Sequence, residues 1–304
     1  MRLYFIFLDG IGLGEESLSN PFVQSETPGL STLLEGNNLA AGTSGFVGEK
    51  VTLVGLDACL GVSGYPQSAT GQATIFTGMN APVFLGEHLN GFPNQKLRKL
   101  LAQRGLFQQF KKIGLQVAFA NAYRPIFFNS LRLGLPGNRY SCSTLITYYG
   151  GLPFFSLQDV KSERALFMDI TNETLRNINY DVPLFSPEKG AENLIRIGRN
   201  FDFILFEYFL SDLAGHLADS VESDRVISIL DRFINALSSH LNPAEEMVII
   251  SSDHGNLEEL STQKHTHNKV PALLIGNKEL RSLIAGSMKD LTDLLPAFFE
   301  VLNW

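Results

Sequence analysis

The sequence has few cysteines, a shortage of positive charge and no long apolar run. Cys59 and Cys142 are the two cysteines in 304 residues, too few for a disulfide framework and typical of a reducing cytoplasm. Acidic residues outnumber basic ones by 31 to 24, and the net charge of −7 argues against nucleic acid or an anionic membrane as partner. No run approaches the roughly 18 apolar residues that cross a bilayer. We therefore expect a cytoplasmic protein, whose oligomeric state the sequence leaves open.

Short apolar runs alternate with helical patterns along the chain. The runs are nearly continuous, as in strands buried on both faces, and they cover residues 2–10, 114–123, 165–171, 202–212, 246–255 and 270–277. Apolar residues recur at helical spacing in 187–201, 220–241 and 288–304, the last with Pro296 as a kink or a break. The alternation predicts an α/β fold with a doubly wound, mostly parallel sheet and helices on both faces.

The domain organisation is simple. The chain is long for one domain but within the range of α/β domains, and no repeat or linker divides it. We expect residues 1–304 to form a single domain. Residues 124–164 are less regular and can form a small cap-like insertion over the sheet edge.

Acidic residues and histidines gather at the ends of the predicted strands. They are Asp9, Asp212, His216, Asp253, His254 and His265. In a mostly parallel sheet all six lie on the rim where ligands bind, beyond the carboxyl ends of the strands. Clustered carboxylates need a neutralising cation, and mixed Asp/His sets suit zinc, manganese or iron. Six ligands are too many for one tetrahedral ion and suit two, an arrangement that serves phosphoryl transfer.

A candidate nucleophile lies in the stretch YPQSATGQATIFTG, residues 65–78. Ser68 stands where a loop enters a helix, and Gly71 permits a close approach to that helix. The first turn of a helix favours an anionic phosphate, and a serine bound to a metal ion loses its proton more easily than a free one.

Each of these elements has an ordinary interpretation when taken alone. An Asp-His pair is commonplace, Asp212 and His216 stand one helical turn apart like many surface pairs, and Ser68 can be a helix N-cap. We interpret the remaining histidines, His88, His240 and His267, as surface or core residues. The joint placement of the set at successive strand ends favours a functional site.

Four motifs resemble the alkaline phosphatase superfamily of metalloenzymes, and within it the branch of cofactor-independent phosphoglycerate mutase and phosphopentomutase. They are LDGIGLG, QSATGQ, DLAGH and SSDHGNLEELSTQKHTHNKVP. The resemblance runs from residue 1 to about residue 280, and its most specific element is D-H-G-N followed by H-T-x-N-x-V-P. It implies an alkaline-phosphatase-like fold and two divalent ions, manganese or zinc.

The resemblance also implies a role for each motif residue. One ion is held by the first-strand aspartate, the nucleophile and the Asp-His pair, here Asp9, Ser68, Asp253 and His254. The second is held by Asp212, His216 and His265. The H-T-x-N-x-V-P frame selects His265 over His267.

Two departures from the mutases bear on the reaction. Only 143 residues separate Ser68 from Asp212, which leaves little room for the inserted domain of the mutases, and Gln72 stands where they have a histidine. A mutase needs a closing cap to keep water from its phosphorylated intermediate. We therefore expect a phosphatase that hydrolyses a small phosphate ester through a phosphoserine. Arg124 and Arg139 are candidate ligands of the substrate phosphate.

Other readings stay open. They are a phosphomutase acting on phosphoglycerate or a sugar phosphate, a phosphodiesterase or sulfatase-like hydrolase, and a metal-binding relative without turnover. The hypothesis of a nucleotide-dependent oxidoreductase is supported by Gly10, Gly12 and Gly14 alone. Their spacing is G-x-G-x-G rather than G-x-G-x-x-G, and no acidic residue ends a second strand about 20 residues on, so we predict no nucleotide cofactor.

Overall fold

The computed structural model describes residues 1–135 and 139–304. Eight strands form there: β1 (Arg2–Leu8), β2 (Val51–Leu56), β3 (Val117–Phe119), β4 (Ala122–Tyr123), β5 (Phe155–Ser156), β6 (Phe203–Tyr208), β7 (Glu246–Ser251) and β8 (Val270–Ile275). Six of them make the main sheet, in the order β2-β8-β7-β1-β6-β3, and β4 pairs with β5 separately. The pairs β1–β6, β1–β7 and β3–β6 are parallel, whereas β8 runs antiparallel to both β7 and β2.

Helices cover both faces of this sheet. They are α1 (Pro21–Gln24), α2 (Pro28–Leu33), α3 (Ser68–Thr77), α4 (Ala81–Leu85), α5 (Gln95–Arg104), α6 (Leu106–Lys112), α7 (Pro125–Arg132), α8 (Cys142–Tyr149), α9 (Leu157–Lys161), α10 (Glu173–Asn177), α11 (Pro187–Gly198), α12 (Leu210–Leu217), α13 (Ser220–His240), α14 (Lys278–Ala285) and α15 (Leu294–Asn303). Side chains from α1, α2, α11 and α13 build the core on one face, and side chains from α3, α5, α6, α8, α14 and α15 build it on the other. The predicted fold class, a mostly parallel α/β sheet with helices on both faces, is confirmed.

The alternation of side chains along β1, β6 and β7 decides which polar groups meet at the rim. Leu3, Phe5 and Phe7 of β1 face the core that contains α3 and α8, so the next residue in that row is Asp9. In the strand register Phe7 lies beside Glu207 of β6 and Ser251 of β7. The same face therefore presents three carboxyl groups near the carboxyl ends of the strands, those of Asp9, Glu207 and Asp253.

Several details of the predicted elements are wrong. The run 202–212 is not one strand, because β6 ends at Tyr208 and Asp212 lies in the first turn of α12, and β2 was not predicted. Residues 165–171 form no strand: Leu166 makes a single bridge to Asn121, and the chain then turns through left-handed conformations at Ile170 and Asn172. Most apolar side chains of this run are buried, but the backbone does not stay extended. The C-terminal helix begins at Leu294 instead of residue 288, and Pro296 lies in its first turn, where a missing N–H costs little, so it neither kinks nor breaks the helix.

The region 124–164 contains two different kinds of element. α8 buries most of its side chains against the core, whereas α7 has no fully buried residue and lies half-exposed over the rim. A single domain over 1–304 with a small insertion at 124–164 stays a prediction. Among the described residues, none of the helices combines the length and the apolarity that a membrane-spanning helix needs.

Candidate active site

The sharp turn after β1 brings Asp9 beside α12. Gly10 has a left-handed φ of 70°, and a Cβ there would lie 2.7 Å from Asp212 Oδ1. A side chain at this position would therefore combine backbone strain with a clash. The glycine lets the strand end and the first turn of α12 approach each other, which places two carboxylates at one spot.

The first cluster consists of Ser68, Asp9, Asp253 and His254. Ser68 begins α3, and its Oγ lies 3.0 Å from His254 Nε2. The same nitrogen lies 3.3 Å from Asp9 Oδ1 and 3.7 Å from Asp253 Oδ2. All four residues are buried. The structure thus brings together the four residues that the sequence suggested for the first ion.

Gln72 joins the two carboxylates of this cluster. Its Nε2 donates to Asp9 Oδ2 at 3.3 Å and to Asp253 Oδ2 at 3.1 Å. Gln72 lies one turn after Ser68 on α3, so the helix that carries the candidate nucleophile also orients its neighbours. The sequence singled out this position as a departure from the mutases, but not as a contact of the ligands.

The second cluster consists of Asp212 and His216 on α12 together with His265 before β8. Asp212 lies 3.5 Å from His216 Nε2 through one oxygen and 3.7 Å from His265 Nε2 through the other. His216 Nδ1 lies 2.8 Å from the Gln263 carbonyl, and His265 Nδ1 lies 2.8 Å from the Pro66 carbonyl. Each Nδ1 must donate to its carbonyl, so in a neutral ring the lone pair is on Nε2.

The two clusters adjoin each other. Asp212 belongs to two groups whose ligand atoms all lie within 4.8 Å of one another, one with His216 and His265 and one with Asp9 and His254. Asp253 is not a member of the second group, but its Oδ2 lies 3.7 Å from Nε2 of His254, which is a member. The rings of His254 and His265 stack with centroids 3.7 Å apart. Asp212 is therefore the residue through which both sets meet.

The electrostatics of the metal-free clusters fit a cation. Burial, and then the Asp253 carboxylate, raise the pKa of Asp9 to about 8. Burial lowers the pKa of His254, but Asp253 and Asp9 outweigh it and raise the value to about 10. Burial and His254 lower the pKa of His265 to about 4, so its ring is neutral, and its Nε2 lies 3.2 Å from His216 Nε2. Asp9 Oδ1 is buried, and its 3.3 Å contact with His254 Nε2 lacks hydrogen-bond geometry. Divalent ions would satisfy these groups together.

Glu258 holds the loops of the site together, and the sequence gave no reason to select it. It is fully buried, and one of its oxygens accepts from the backbone N–H of Gly12 at 2.8 Å and of Asn256 at 2.7 Å. The other accepts from the Thr266 hydroxyl and from Asn268 Nδ2. The carboxylate thus ties the loop after β1, the loop after β7 and the loop that carries His265.

We expect Glu258→Gln to destabilise the protein by about 3 kcal/mol, because two of the four donors would then face an amide NH₂ in a buried site. Urea denaturation measures this free energy of unfolding. Glu279→Gln, an exposed residue in the first turn of α14, is the matched control and changes stability by less than about 0.5 kcal/mol. Equal stabilities of the two variants would contradict the proposed bracing role.

Glu207 is a second buried carboxyl group near the site. Its Oε2 accepts from the Ser143 hydroxyl at 2.6 Å, and burial raises its pKa to about 7. It lines a cavity of about 720 Å³, here called the rim cavity, whose walls include Tyr123, Phe127, Phe167 and Phe209.

The raised pKa of Glu207 predicts a pH-dependent stability. Between about pH 4.5 and 7 the folded protein keeps the Glu207 proton while the unfolded chain loses it. The protonated side chain therefore contributes to the free energy of unfolding at low pH, and this contribution is lost as the pH rises through about 7. Glu207→Gln removes the titration. The stability of the variant relative to wild type should therefore increase between pH 5 and pH 8, by on the order of 3 kcal/mol in metal-free protein. Urea denaturation at the two pH values measures the free energy of unfolding of both proteins. If the difference between variant and wild type were the same at pH 5 and pH 8, burial would not raise the pKa of Glu207.

The two candidate substrate-binding arginines lie away from the ligand clusters. Arg124 and Arg139 are both exposed, and both line the rim cavity. His267 stacks on Tyr65 at 4.4 Å and contacts Cys59 Sγ at 3.6 Å, outside both ligand groups. The metal-binding, nucleophilic and substrate-binding roles stay predictions.

Comparisons with known proteins agree with this geometry. Residues 163–303 match the model of the Metalloenzyme superfamily. That segment includes Asp212, His216, Asp253, His254 and His265 and begins after Asp9 and Ser68. Over this segment the chain is similar to the metalloenzyme (alkaline phosphatase) superfamily, and it is distantly similar to the cofactor-independent phosphoglycerate mutases.

The curated relatives are 2,3-bisphosphoglycerate-independent phosphoglycerate mutases. The chain is 24% identical to that of Antithamnion sp. over 220 residues, which are 70% of this chain and 38% of the relative. It is 26% identical to that of Mesomycoplasma hyopneumoniae over 160 residues, 51% of this chain and 31% of the relative. The chain therefore spans well under half the length of these relatives.

Solved structures share the fold over the whole chain. The PH0037 protein from Pyrococcus horikoshii superposes with a TM-score of 0.58 at 13% identity, covering 99% of this chain and 96% of the other. The alkaline phosphatase from the Antarctic bacterium TAB5 superposes with a TM-score of 0.52 at 12% identity, covering 100% and 98%. At such identities the likeness establishes the alkaline-phosphatase-like fold.

Proposed function

We propose that this protein is a two-metal phosphatase that hydrolyses a small phosphate ester through a phosphoserine at Ser68. The observation that carries the proposal is the position of Ser68, which begins a ten-residue helix with its Oγ 3.0 Å from His254 Nε2, beside two adjoining sets of metal-ligand atoms. The superfamily match and the fold support the reaction class.

Ser68 Oγ is the attacking atom. It forms a bond to phosphorus while the bond from phosphorus to the leaving oxygen breaks, the serine proton passes to solvent, and the leaving alkoxide takes a proton from water. Water then attacks phosphorus from the other side, Ser68 Oγ leaves and is reprotonated, and inorganic phosphate is released.

The surrounding residues fix the geometry of this step. A Cβ at Gly71 would lie 2.6 Å from the Asp253 carbonyl, so the glycine lets α3 approach the ligand loop closely. Asp9, Asp253 and His254 would hold one ion with Ser68, and Asp212, His216 and His265 the other. Manganese or zinc bound there would neutralise the carboxylates and the phosphate and favour ionisation of the serine hydroxyl.

The two arginines of the rim cavity would bind the phosphate of the substrate. We expect Arg124→Ala and Arg139→Ala each to raise KM about tenfold with little loss of kcat, because each removes one charge-assisted contact. Steady-state kinetics with the metal-loaded protein measures both constants. Arg132→Ala, an exposed arginine at the end of α7 outside the cavity lining, is the matched control. Equal KM values in all three variants would contradict the assignment.

A phosphomutase is the second candidate, and the observation that favours it is the identity of the two curated relatives described above, both phosphoglycerate mutases. The test that separates the two is metal analysis of the purified protein together with a phosphoester panel and Ser68→Ala. Release of inorganic phosphate that depends on Ser68 supports the phosphatase. Isomerisation of phosphoglycerate or a sugar phosphate without net release supports the mutase, and full metal occupancy without turnover contradicts both.

A further inference from the structure

The rim cavity borders the residues that would carry the reaction. Glu207 in its lining lies beside Phe7 in the sheet register, two residues before Asp9, and the Asp9 backbone N–H donates to the Tyr208 carbonyl at 2.9 Å. The cavity thus lies alongside the strand end that presents the first ligand.

A second wall of the cavity is tied to the nucleophile helix. Ser141 and Thr144 of the lining flank Cys142, whose Sγ lies 3.5 Å from the carbonyl of Ala69, the residue after Ser68. The loop that carries Phe92, another lining residue, is held to the same helix, because the Leu89 N–H donates to the Thr70 hydroxyl at 3.2 Å. Two walls of the cavity are therefore held directly to the helix that Ser68 begins.

The walls of the cavity are mainly apolar, and seven of the lining residues are aromatic. Tyr123 stacks on Phe127 with centroids 4.0 Å apart, and Phe154 meets both rings edge-on at 5.1 and 4.8 Å. Phe167 and Phe209 extend the apolar surface. Such a wall gains affinity from apolar ligand surface removed from water and gains little from a short polar chain.

We infer that the rim cavity receives the leaving group, and that the substrates are phosphate monoesters of alcohols bearing an apolar ring rather than of small acids or open-chain polyols. The inference rests on the proposed function. Arg124 and Arg139 line the same cavity, so an anionic ester that enters it meets positive charge.

The test compares benzyl phosphate with ethyl phosphate, two esters of alcohols of similar acidity, on manganese-loaded protein. We expect kcat/KM to be about tenfold or more higher for benzyl phosphate, carried by a lower KM, because the ring is buried against the aromatic wall. Thr174→Trp, at a half-buried position of the lining, fills the cavity and should bring the benzyl-to-ethyl ratio close to one.

Two further variants keep the test decisive. Ile178→Trp fills the same cavity from an exposed position, and it replaces Thr174→Trp if that variant does not fold. Ser239→Trp, exposed near the far end of α13, is the matched control and should keep the wild-type ratio. Equal kcat/KM for the two esters, or a ratio that neither cavity variant lowers, overturns the inference and leaves the phosphatase intact. Absence of Ser68-dependent phosphate release from either ester overturns the proposed function and the inference with it.

Discussion

Ser68→Ala is expected to reduce phosphate release by at least about a thousandfold, because it removes the atom that attacks phosphorus and leaves no other group in its position. The first ion should still bind, since Asp9, Asp253 and His254 remain. Phosphate release from a phosphate monoester measures the loss. Mass spectrometry of acid-quenched wild-type protein should place a phosphoryl group on the peptide that contains Ser68.

Thr70→Val is the matched control, since Thr70 is the nearest alternative hydroxyl on the same helix. Thr70 Oγ1 donates to the Gln67 carbonyl and accepts from the Leu89 N–H. These hydrogen bonds give the hydroxyl a structural role. The variant should keep turnover within about tenfold of wild type. A Ser68→Ala protein that retained more than a hundredth of the wild-type rate would contradict the nucleophile assignment.

Asp212→Asn is expected to weaken the binding of both ions, by about a hundredfold or more, and to reduce turnover in parallel. Asp212 is the residue shared by the two groups of candidate ligand atoms, so we expect its charge to act on both sites. The fold should survive, because asparagine can still accept the hydrogen bond that Asn256 Nδ2 donates to Oδ1 at 2.7 Å. Titration with manganese followed by calorimetry measures the two affinities.

Asp224→Asn is the control for the loss of one negative charge. Asp224 is exposed on α13, in the helix that follows α12. Its replacement should leave both affinities unchanged. If Asp212→Asn bound two ions as tightly as this control, the two clusters would not share Asp212 in the way the geometry indicates.

The elements that the sequence predicted well are those whose apolar pattern is long and bounded by polar residues. β1, β6, β7 and β8 all fall within predicted runs, because burial on both faces leaves a continuous apolar signal. Residues 165–171 carry the same signal but fold into turns. There the Asp169 carboxylate accepts from the backbone N–H groups of Asn172 and Thr174, a local contact that competes with an extended strand.

For the site, the sequence predicted those residues that are recognisable by their type and by their position after a predicted strand. The sequence identified candidate ligands because they follow successive predicted strands and match the family motifs, although Asp212 and His216 lie on α12 and not at the end of β6. It could not separate Glu258 from Glu259, since the two neighbours look alike until the fold buries the first and leaves the second half-exposed. The sequence showed that Gln72 replaces the histidine of the mutases. It could not show the contact of Gln72 with Asp9 and Asp253, because that contact depends on how α3 approaches the strand ends.

The direct test of the two-metal account is anomalous diffraction from crystals of the protein grown with manganese. The account predicts two anomalous peaks about 4 Å apart. One should lie among Asp9, Ser68, Asp253 and His254, and the other among Asp212, His216 and His265. A single peak, or manganese bound elsewhere with both clusters empty, would contradict it.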